Sequence, residues 1–395
     1  MKKVLIIGAG FLQDFVICKA NSMGYETYAV DADPDAVGFK HAHHHGVINI
    51  VDDHACLEYA KRNSIDGVLT AATDYGVLTA SYIAQKMGLP GLKYEVAKLI
   101  KNKYKVRKCL FENQVDDTEQ AYEIDGYTNL EELSCRLLYP VMVKPCDGSG
   151  SRGASRVDIS AQLKAACQYA MKNSITHRAE IESFIDGKEY GAESLVINGK
   201  ICVLGIMQKW MTKPPYYAEL GHSIPTDLTT EVEEKATRYV YNAIKALGIN
   251  HGSVNMDMLI TKEGKIHIID IGARMGGNMI GPCIIPYGTG IDYMGAMIQN
   301  AVADPIDLKS DEYTAVATKL LAFKEGIVQY LPDIEQRFGV EVYHHMKVGM
   351  QINEYHTNLD GCGYIVARAD TQEKAIKKAE NALNYFRNTI FLRTR

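Results

Sequence analysis

A short apolar strand that ends in Lys-Pro and runs straight into a glycine–serine loop constrains this chain more than any other stretch. YPVMVKP, residues 139–145, has the apolar, β-branched character of a buried strand. Gly148, Gly150 and Gly153 follow, interleaved with Ser149, Ser151 and Arg152, before Val157 resumes an apolar pattern. Such a loop lets successive backbone N–H groups turn toward one point, and the resulting concavity suits phosphate oxygens. Lys144, at the strand's end, adds a full positive charge. In the P-loop the lysine follows the glycines. Here it precedes them on a strand, so a different nucleotide-binding architecture is required. Taken alone, the stretch is equally compatible with an ordinary hairpin loop; the rest of the chain decides.

With 395 residues, two or three domains are expected. A net charge of −5 without a basic tract excludes a typical nucleic-acid binder. Nine cysteines stand as singletons, an odd number with no CxxC pair, which suits reduced thiols in a cytosol. The opening MKKVLIIGAGFLQDF has a basic tip and an apolar run but no small-residue cleavage site. No apolar stretch approaches the ~20 residues of a membrane span. The expectation is a soluble, cytoplasmic enzyme.

Residues 4–7, a GAG turn, a helix from Phe11 to Met23 and the strand ETYAVDAD make a βαβ opening. It carries part of a dinucleotide fingerprint: Gly8 and Gly10 are present, Gln13 stands at the third glycine position, and Asp31 lies where a ribose-binding acid belongs. A nicotinamide-dependent oxidoreductase is therefore a rival reading, although the remaining chain supplies no matching substrate chemistry. His41, His43, His44 and His45 lack partners spaced for zinc and read as a polar loop before the strand VINI. A helix, the strand DGVLTAAT and another helix follow, so the strands should be parallel. Thr73-Asp74 falls at a strand's carboxyl end, where such sheets place ligands, although capping of the next helix is the expected role of Asp74. Residues 94–113 read as one helix whose Lys101, Lys103, Lys105, Arg107 and Lys108 form a solvated face. IESFIDGKEYGAESLVING and KICVLGIMQKW read as strands, and MTKPPYYAELGHSIPTDL as a long irregular substrate loop.

VNMDMLI and KIHIIDIGAR form a hairpin joined by TKEGK. Asp257 and Asp270 each lie in an otherwise apolar strand, and adjacent antiparallel strands bring such positions side by side. Two buried like charges need a cation between them. Magnesium on phosphate oxygens would serve; lysines paired with the acids for packing are the alternative. Arg274, four residues on, opens the loop RMGGNMIGP and offers a guanidinium to a carboxylate or phosphate. Residues 306–395 read as a small α+β unit ending in a helix capped by Thr371.

Together these pieces resemble the ATP-grasp superfamily of carboxylate–amine ligases and carboxylases, over nearly the whole chain. The resemblance implies an α/β and α+β ATP-grasp fold. A Rossmann-like domain would occupy residues 1–95, the ATP-clamping domain 96–305, and a C-terminal α+β domain 306–395. It implies ATP with Mg2+ or Mn2+. Lys103, in NKYKVR, and Lys144 would contact the phosphates beneath the loop of Gly148, Ser149, Gly150, Ser151 and Gly153. IESFIDGKE aligns with the segment that holds the nucleoside, making Glu182, Ser183, Phe184 and Ile185 the adenine hinge and Glu189 the ribose acid. Asp257 and Asp270 would hold the metal, and Arg274 would steady an acyl phosphate. The family usually has Glu at the position of Asp270, and an Asn two residues later where Gly272 stands; Asn278 or water would replace that ligand. ELGHSIP, with Glu219 and His222, and ARMGGN look like the bacterial amino-acid ligase branch, whereas the tail looks like the carboxylase branch. His222 would line the acceptor pocket or be merely structural.

The implied activity is ADP-forming ligation of a small carboxylate to an amine through an acyl phosphate, without nucleic acid or membrane and with a homodimer allowed. The alternatives are a bicarbonate-using carboxylase, a nucleotide-binding protein without turnover, and the nicotinamide oxidoreductase.

Overall fold

The computed structural model describes every residue except Glu119, Ser149, Ser151, Pro215 and 392–395. The chain opens with β1 (Lys3–Ile7), α1 (Phe11–Ser22), β2 (Glu26–Asp31), β3 (His44–Val47), α2 (Asp53–Asn63), β4 (Gly67–Thr70) and α3 (Gly76–Met87). The four strands form one parallel sheet in the order β3-β2-β1-β4. Its middle strands β1 and β2 are buried except at their ends, Val4–Ile7 and Thr27–Val30 being covered by helices on both faces. His41 and His43 stand in the expected loop, but His44 and His45 begin the edge strand β3, which ends at Val47 rather than spanning VINI. His44 stacks on Tyr28 and His45 on Phe39, so these rings close the sheet's flank.

The dinucleotide-like turn is filled by the protein's own groups. One Asp31 carboxylate oxygen accepts from the Ala9 N–H at 2.8 Å and the other from the Asp33 N–H at 3.0 Å. The Gln13 side chain packs where a Cβ on Gly8 would meet it at 3.3 Å. The acid that the oxidoreductase reading gave to a ribose is thus spent on its own loop.

Residues 94–113 form two helices, α4 (Tyr94–Ile100) and α5 (Lys103–Glu112), and not one. Asn102 causes the break: its side chain accepts from the Lys105 N–H and caps α5, placing Lys103 in the first turn. A small antiparallel sheet follows, built from β5 (Ala121–Ile124), β6 (Val141–Pro145), β7 (Ser155–Val157) and β8 (Ala179–Ser183) in the order β5-β8-β6-β7. Helices α6 (Leu130–Ser134) and α7 (Ser160–Lys172) complete this unit, and Leu163, Cys167 and Ala170 of α7 pack on Val141, Val143 and Ile181.

The remaining strands are β9 (Lys188–Ile197), β10 (Lys200–Met211), β11 (Glu219–Ile224), β12 (Gly252–Ile260), β13 (Ile266–Gly272), β14 (Ala315–Leu320), β15 (Gly326–Ile327), β16 (Glu341–His344), β17 (Gln351–Ile352) and β18 (Gly363–Ala369). Apart from the β15–β17 ribbon they form one eight-stranded sheet, β13-β12-β9-β10-β11-β14-β18-β16. Part of the expected irregular loop is therefore the strand β11. The strands after residue 306 have their own apolar core around Phe323, Ile365 and Phe386, yet they hydrogen-bond onto β11 and continue its sheet. Helix α8 (Thr230–Ala246), capped by Thr229, covers one face. The short α9 (Ile285–Thr289), α10 (Tyr293–Ala301) and α11 (Glu335–Phe338), and the long α12 (Gln372–Thr389), complete the chain. Thr371 caps α12 as expected.

Candidate active site

Between the small sheet and the large one lies a cavity of about 730 Å3. It gathers Lys103, Lys144, Gly148, Gly150, Glu182, Ser183, Phe184, Ile185, Glu189, Asp257 and Asp270, eleven of the residues singled out from sequence. Ser149 and Ser151 lie outside the described residues. Gly153, His222 and Arg274 do not line this cavity.

Asp257 and Asp270 face each other across β12 and β13 in register, as the hairpin reading required, with a bulge immediately after Asp257. Each has a lysine. Lys103 donates to Asp270, and the Lys209 Nζ lies 2.7 Å from Asp257, 2.8 Å from Glu189 and 2.6 Å from Glu219. Lys209 is 1% exposed, a lone ammonium ringed by three carboxylates. Burial disfavours that charge, but Asp257, Glu189 and Glu219 together raise the ammonium's pKa well above its usual value. The cluster remains over-supplied with negative charge. Burial, with Glu189 and Glu219 nearby, pushes Asp257 up to about 7. Against burial, Lys209 holds Glu219 down at about 2.

This donor set fits a divalent cation: hard carboxylate oxygens, a surplus of negative charge, and second oxygens on Glu189 and Asp257 that have no partner among the described residues. Asp257, Glu189 and Glu219 are the residues that would hold it, whereas Asp270, expected as the second ligand, lies outside that cluster and accepts from Lys103. Glu219 is further steadied by Asn278 and by Asn358, whose Nδ2 is 3.1 Å away. Asn278 therefore stands beside the acids, at Glu219 rather than at Gly272.

On the other wall, Lys144 donates to Glu182 at 2.6 Å and to the Ile269 carbonyl at 3.0 Å, with Glu180 at 3.8 Å. Pairing of β6 with β8 sets Lys144 directly opposite Glu180 and diagonal to Glu182. Arg107 binds the far oxygen of Glu182 at 2.9 Å and Asp116 at 2.9 Å. Arg107 is buried, contrary to the solvated-face reading, because α5 turns it inward beneath the cavity floor. Both oxygens of the buried Glu180 lack hydrogen-bond partners among the described residues; burial, then Glu182, pushes its carboxyl up to about 7.

The hinge segment has an apolar slot for a flat ring, formed by Met142, Phe184, Trp210, Met211, Leu259 and Ile269. The Ser183 and Phe184 N–H groups are already bonded to the Gln120 and Pro140 carbonyls. The Ile185 N–H has no backbone acceptor among the described residues. Arg156 lies 4.2 Å over the Phe184 ring. In the glycine loop, Gly153 has φ +78°, and a Cβ there would meet Pro145 at 2.7 Å and Asn173 at 2.8 Å. Its part is to fold the loop back over the strand.

Arg274 stands at the end of β13. Its Nε lies 2.9 Å from one oxygen of Asp74, and its Nη2 donates to the other at 3.2 Å. Nη1 donates to Asn255 at 3.1 Å, and Asn255 in turn donates to the buried Glu193. Asp74 thus holds Arg274 and does not cap α3, whose N-terminus has no side-chain cap. The contact exists because Ala71 and Ala72 dock on Met275. Gly272 is explained by the same pair: a Cβ there would sit 2.8 Å from the Asp74 carboxylate and 3.0 Å from the Arg274 Cζ. Gly272→Ala is accordingly expected to push the pair apart and lower turnover, at a stability cost of about 1–3 kcal/mol for overpacking. Steady-state kinetics beside a urea melt check this; an unchanged rate would mean that the pair has no part in turnover.

His222 is buried in β11, opposite Lys209, with its backbone N–H on the Thr318 hydroxyl. Burial pulls its pKa down to about 4, so the ring is neutral at pH 7. Lys209 and Glu180 were passed over in the sequence, and Arg107 was read as solvated. The available signal was a lysine inside the apolar strand KICVLGIMQKW, a position that demands buried acids. Asn358 and Tyr355, whose hydroxyl donates to the Glu219 carbonyl at 2.5 Å, come from the far C-terminal segment and had no local signal.

Comparison with known proteins places this geometry. The model of the ATP-grasp domain matches residues 137–282, and that of the L-amino acid ligase C-terminal domain 2 matches residues 325–389. A crystal structure of L-amino acid ligase from Bacillus licheniformis superposes with a TM-score of 0.85 at 24% identity, covering 98% of both chains. An uncharacterized protein of Sinorhizobium fredii is 26% identical over 82% of this chain and 69% of its own length. D-alanine–D-alanine ligase of Acetivibrio thermocellus is 28% identical over 53% of this chain, which spans about half (52%) of that relative. The first match runs from the Lys144 strand through the glycine loop and the hinge to Asp257, Asp270 and Arg274, and the fold agrees along the whole chain: residues 137–282 are an ATP-grasp domain, set in a chain with the ATP-grasp fold.

Proposed function

We propose that the protein is an ADP-forming ligase that joins a small carboxylate to an amine. The observation that carries this reading is the convergence, in one cavity, of Lys103, Lys144, a glycine loop, an apolar slot and the carboxylates of Glu189, Asp257 and Asp270, with Arg274 just past the end of β13. The slot takes the base; Glu189, Lys103 and Lys144 face the ribose and phosphates. Lys144 exchanges its hold on Glu182 for a phosphate oxygen at little electrostatic cost, since Arg107 keeps Glu182 compensated. A divalent metal at the acids would neutralise phosphate charge during transfer.

The terminal phosphoryl group passes to the substrate carboxylate, leaving ADP and an acyl phosphate. The amine nitrogen then bonds to the acyl carbon. The bond from that carbon to the phosphate oxygen breaks, phosphate leaves with the electron pair, and the nitrogen loses its proton. Arg274 is the group placed to stabilise charge on the intermediate. His222, neutral and buried, supports the strand that carries Glu219. Nine free cysteines suit a reducing compartment, and the cytoplasm is the proposed location. No helix of the described residues is long and apolar enough to cross a membrane.

A phosphate-release screen over pairs of amino acids and small carboxylic acids, with and without bicarbonate, tests the reading. Release that needs both a carboxylate and an amine is expected. Release driven by bicarbonate without an amine would replace the ligase by a carboxylase.

A further inference from the structure

Glu193 is a fully buried acid without a cation at ion-pair distance among the described residues; Arg274 is paired with Asp74 instead. It stands on β9 directly opposite Asn255 of β12, which in turn faces Gly272 of β13. The neighbouring row on the same face of the sheet is Gly191, Asp257 and Asp270. Three donors converge on the Glu193 carboxylate. One oxygen accepts from the Tyr293 hydroxyl at 2.5 Å and from the Gly276 N–H at 2.9 Å, and the other accepts from the Asn255 side-chain amide at 3.0 Å. A Cβ on Gly276 would come within 3.0 Å of Glu193 and 2.9 Å of the Asn255 amide, so the loop after Arg274 is seated on this pair.

A buried carboxylate without a counter-ion is costly, and an amide of the same shape would cost less. What sets the carboxylate apart is that it only accepts hydrogen bonds, whereas a guanidinium only donates them. Asn255 stands between one of each. Its amide nitrogen faces Glu193, and its oxygen accepts from the Arg274 Nη1 at 3.1 Å. Only one orientation of the Asn255 side chain satisfies both neighbours. The acid therefore decides which way Asn255 points and leaves an acceptor facing the arginine. Burial pushes the Glu193 carboxyl up to about 7 against the hold of Tyr293, Gly276 and Asn255, so the acceptor-only form prevails at pH 8.

We propose that Glu193 is the positioning residue of Arg274: its charge sets the direction of the hydrogen-bond chain from Arg274 through Asn255 and, at Gly276, the course of the loop that follows. Glu193 does not line the main cavity, so it acts through the arginine. The consequence for turnover rests on the ligase reading; the wiring is a property of the folded chain. Glu193→Gln keeps the shape and removes the charge. The glutamine amide then meets either the Asn255 amide or the Gly276 N–H, donor against donor in both cases. Asn255→Asp sets acceptor against acceptor. The two exchanges together restore every bond: the glutamine oxygen accepts from Tyr293 and Gly276, its amide donates to the aspartate, and the aspartate accepts from Arg274.

The test compares wild type, both single variants and the double variant at pH 8, by urea midpoint and by phosphate release with the substrate pair found in the screen. Each single exchange is expected to lower kcat about tenfold or more, with the KM for ATP within about twofold of wild type. The double variant should return to within about threefold of the wild-type kcat, and its urea midpoint should exceed those of both singles. Wild-type turnover in Glu193→Gln overturns the inference and leaves the ligase standing. So does a double variant no better than the worse single, in rate or in midpoint. A protein that binds ATP yet releases phosphate with no pair removes the ligase reading and the role in turnover with it; the midpoints alone then decide the wiring.

Discussion

Lys209→Met is expected to destabilise the protein by about 3–5 kcal/mol at pH 8, the usual cost of removing one partner from a buried ionic cluster. The variant leaves Glu189, Glu219 and Asp257 facing one another without their shared cation. The loss should shrink on acidification, and its sign follows from proton counting. In the wild type Asp257 sits near 7, above its usual 3.8, so between those values the folded chain binds more protons than the unfolded one. Stability from this group therefore falls as pH rises through that window. Without Lys209 nothing opposes burial and mutual repulsion. The three acids should then hold protons to higher pH, and the fall should become steeper and extend further. Urea midpoints at pH 5, 6, 7 and 8 measure this directly. A variant with the wild-type midpoint at pH 8 would show that the ammonium is dispensable and that the acids are compensated otherwise.

Arg274→Ala should reduce turnover on the order of a hundredfold or more, because one preorganised charge aimed at a developing oxyanion contributes about 2.7–4 kcal/mol to the barrier. ATP affinity should change little, since Arg274 does not line the nucleotide cavity. The arginine is held by Asp74 and by Asn255, which is itself anchored on Glu193, so its position is fixed before any substrate arrives. Arg274→Lys keeps a charge but loses the two-pronged hold on Asp74, and it should recover only part of the rate. Calorimetric titration with ATP, run beside phosphate release, separates the two effects. An unchanged rate in Arg274→Ala would remove this residue from the chemistry.

How much of this was legible in the sequence depends on distance along the chain. The Asp257–Asp270 pair was readable because a five-residue turn joins two apolar strands, and register then places the acids opposite each other. The glycine loop and Lys144 were readable for the same reason: strand and loop are contiguous. Asp74 was misassigned because its partner lies two hundred residues later, and local rules offered only a helix cap. Arg107 was taken for a surface residue because a run of five basic side chains on one helix looks solvated. Only the break at Asn102 and the packing of α5 against the large sheet turn it inward. Residues 219–224 were read as loop because the stretch around them, MTKPPYYAELGHSIPTDL, is long, proline-rich and aromatic. They form a strand because β10 on one side and β14 on the other supply hydrogen-bond partners that no local signal announces.

The eight-stranded sheet runs without interruption from the Asp257–Asp270 hairpin to strands β14, β18 and β16 beyond residue 306. Cutting the polypeptide near residue 306 would leave β11 as a raw edge, its unpaired amides and carbonyls open to any stray strand. Asn358 and Tyr355 would leave Glu219 at the same stroke. The tail thus completes the sheet and steadies Glu219, and removing it would disturb the acidic cluster from behind.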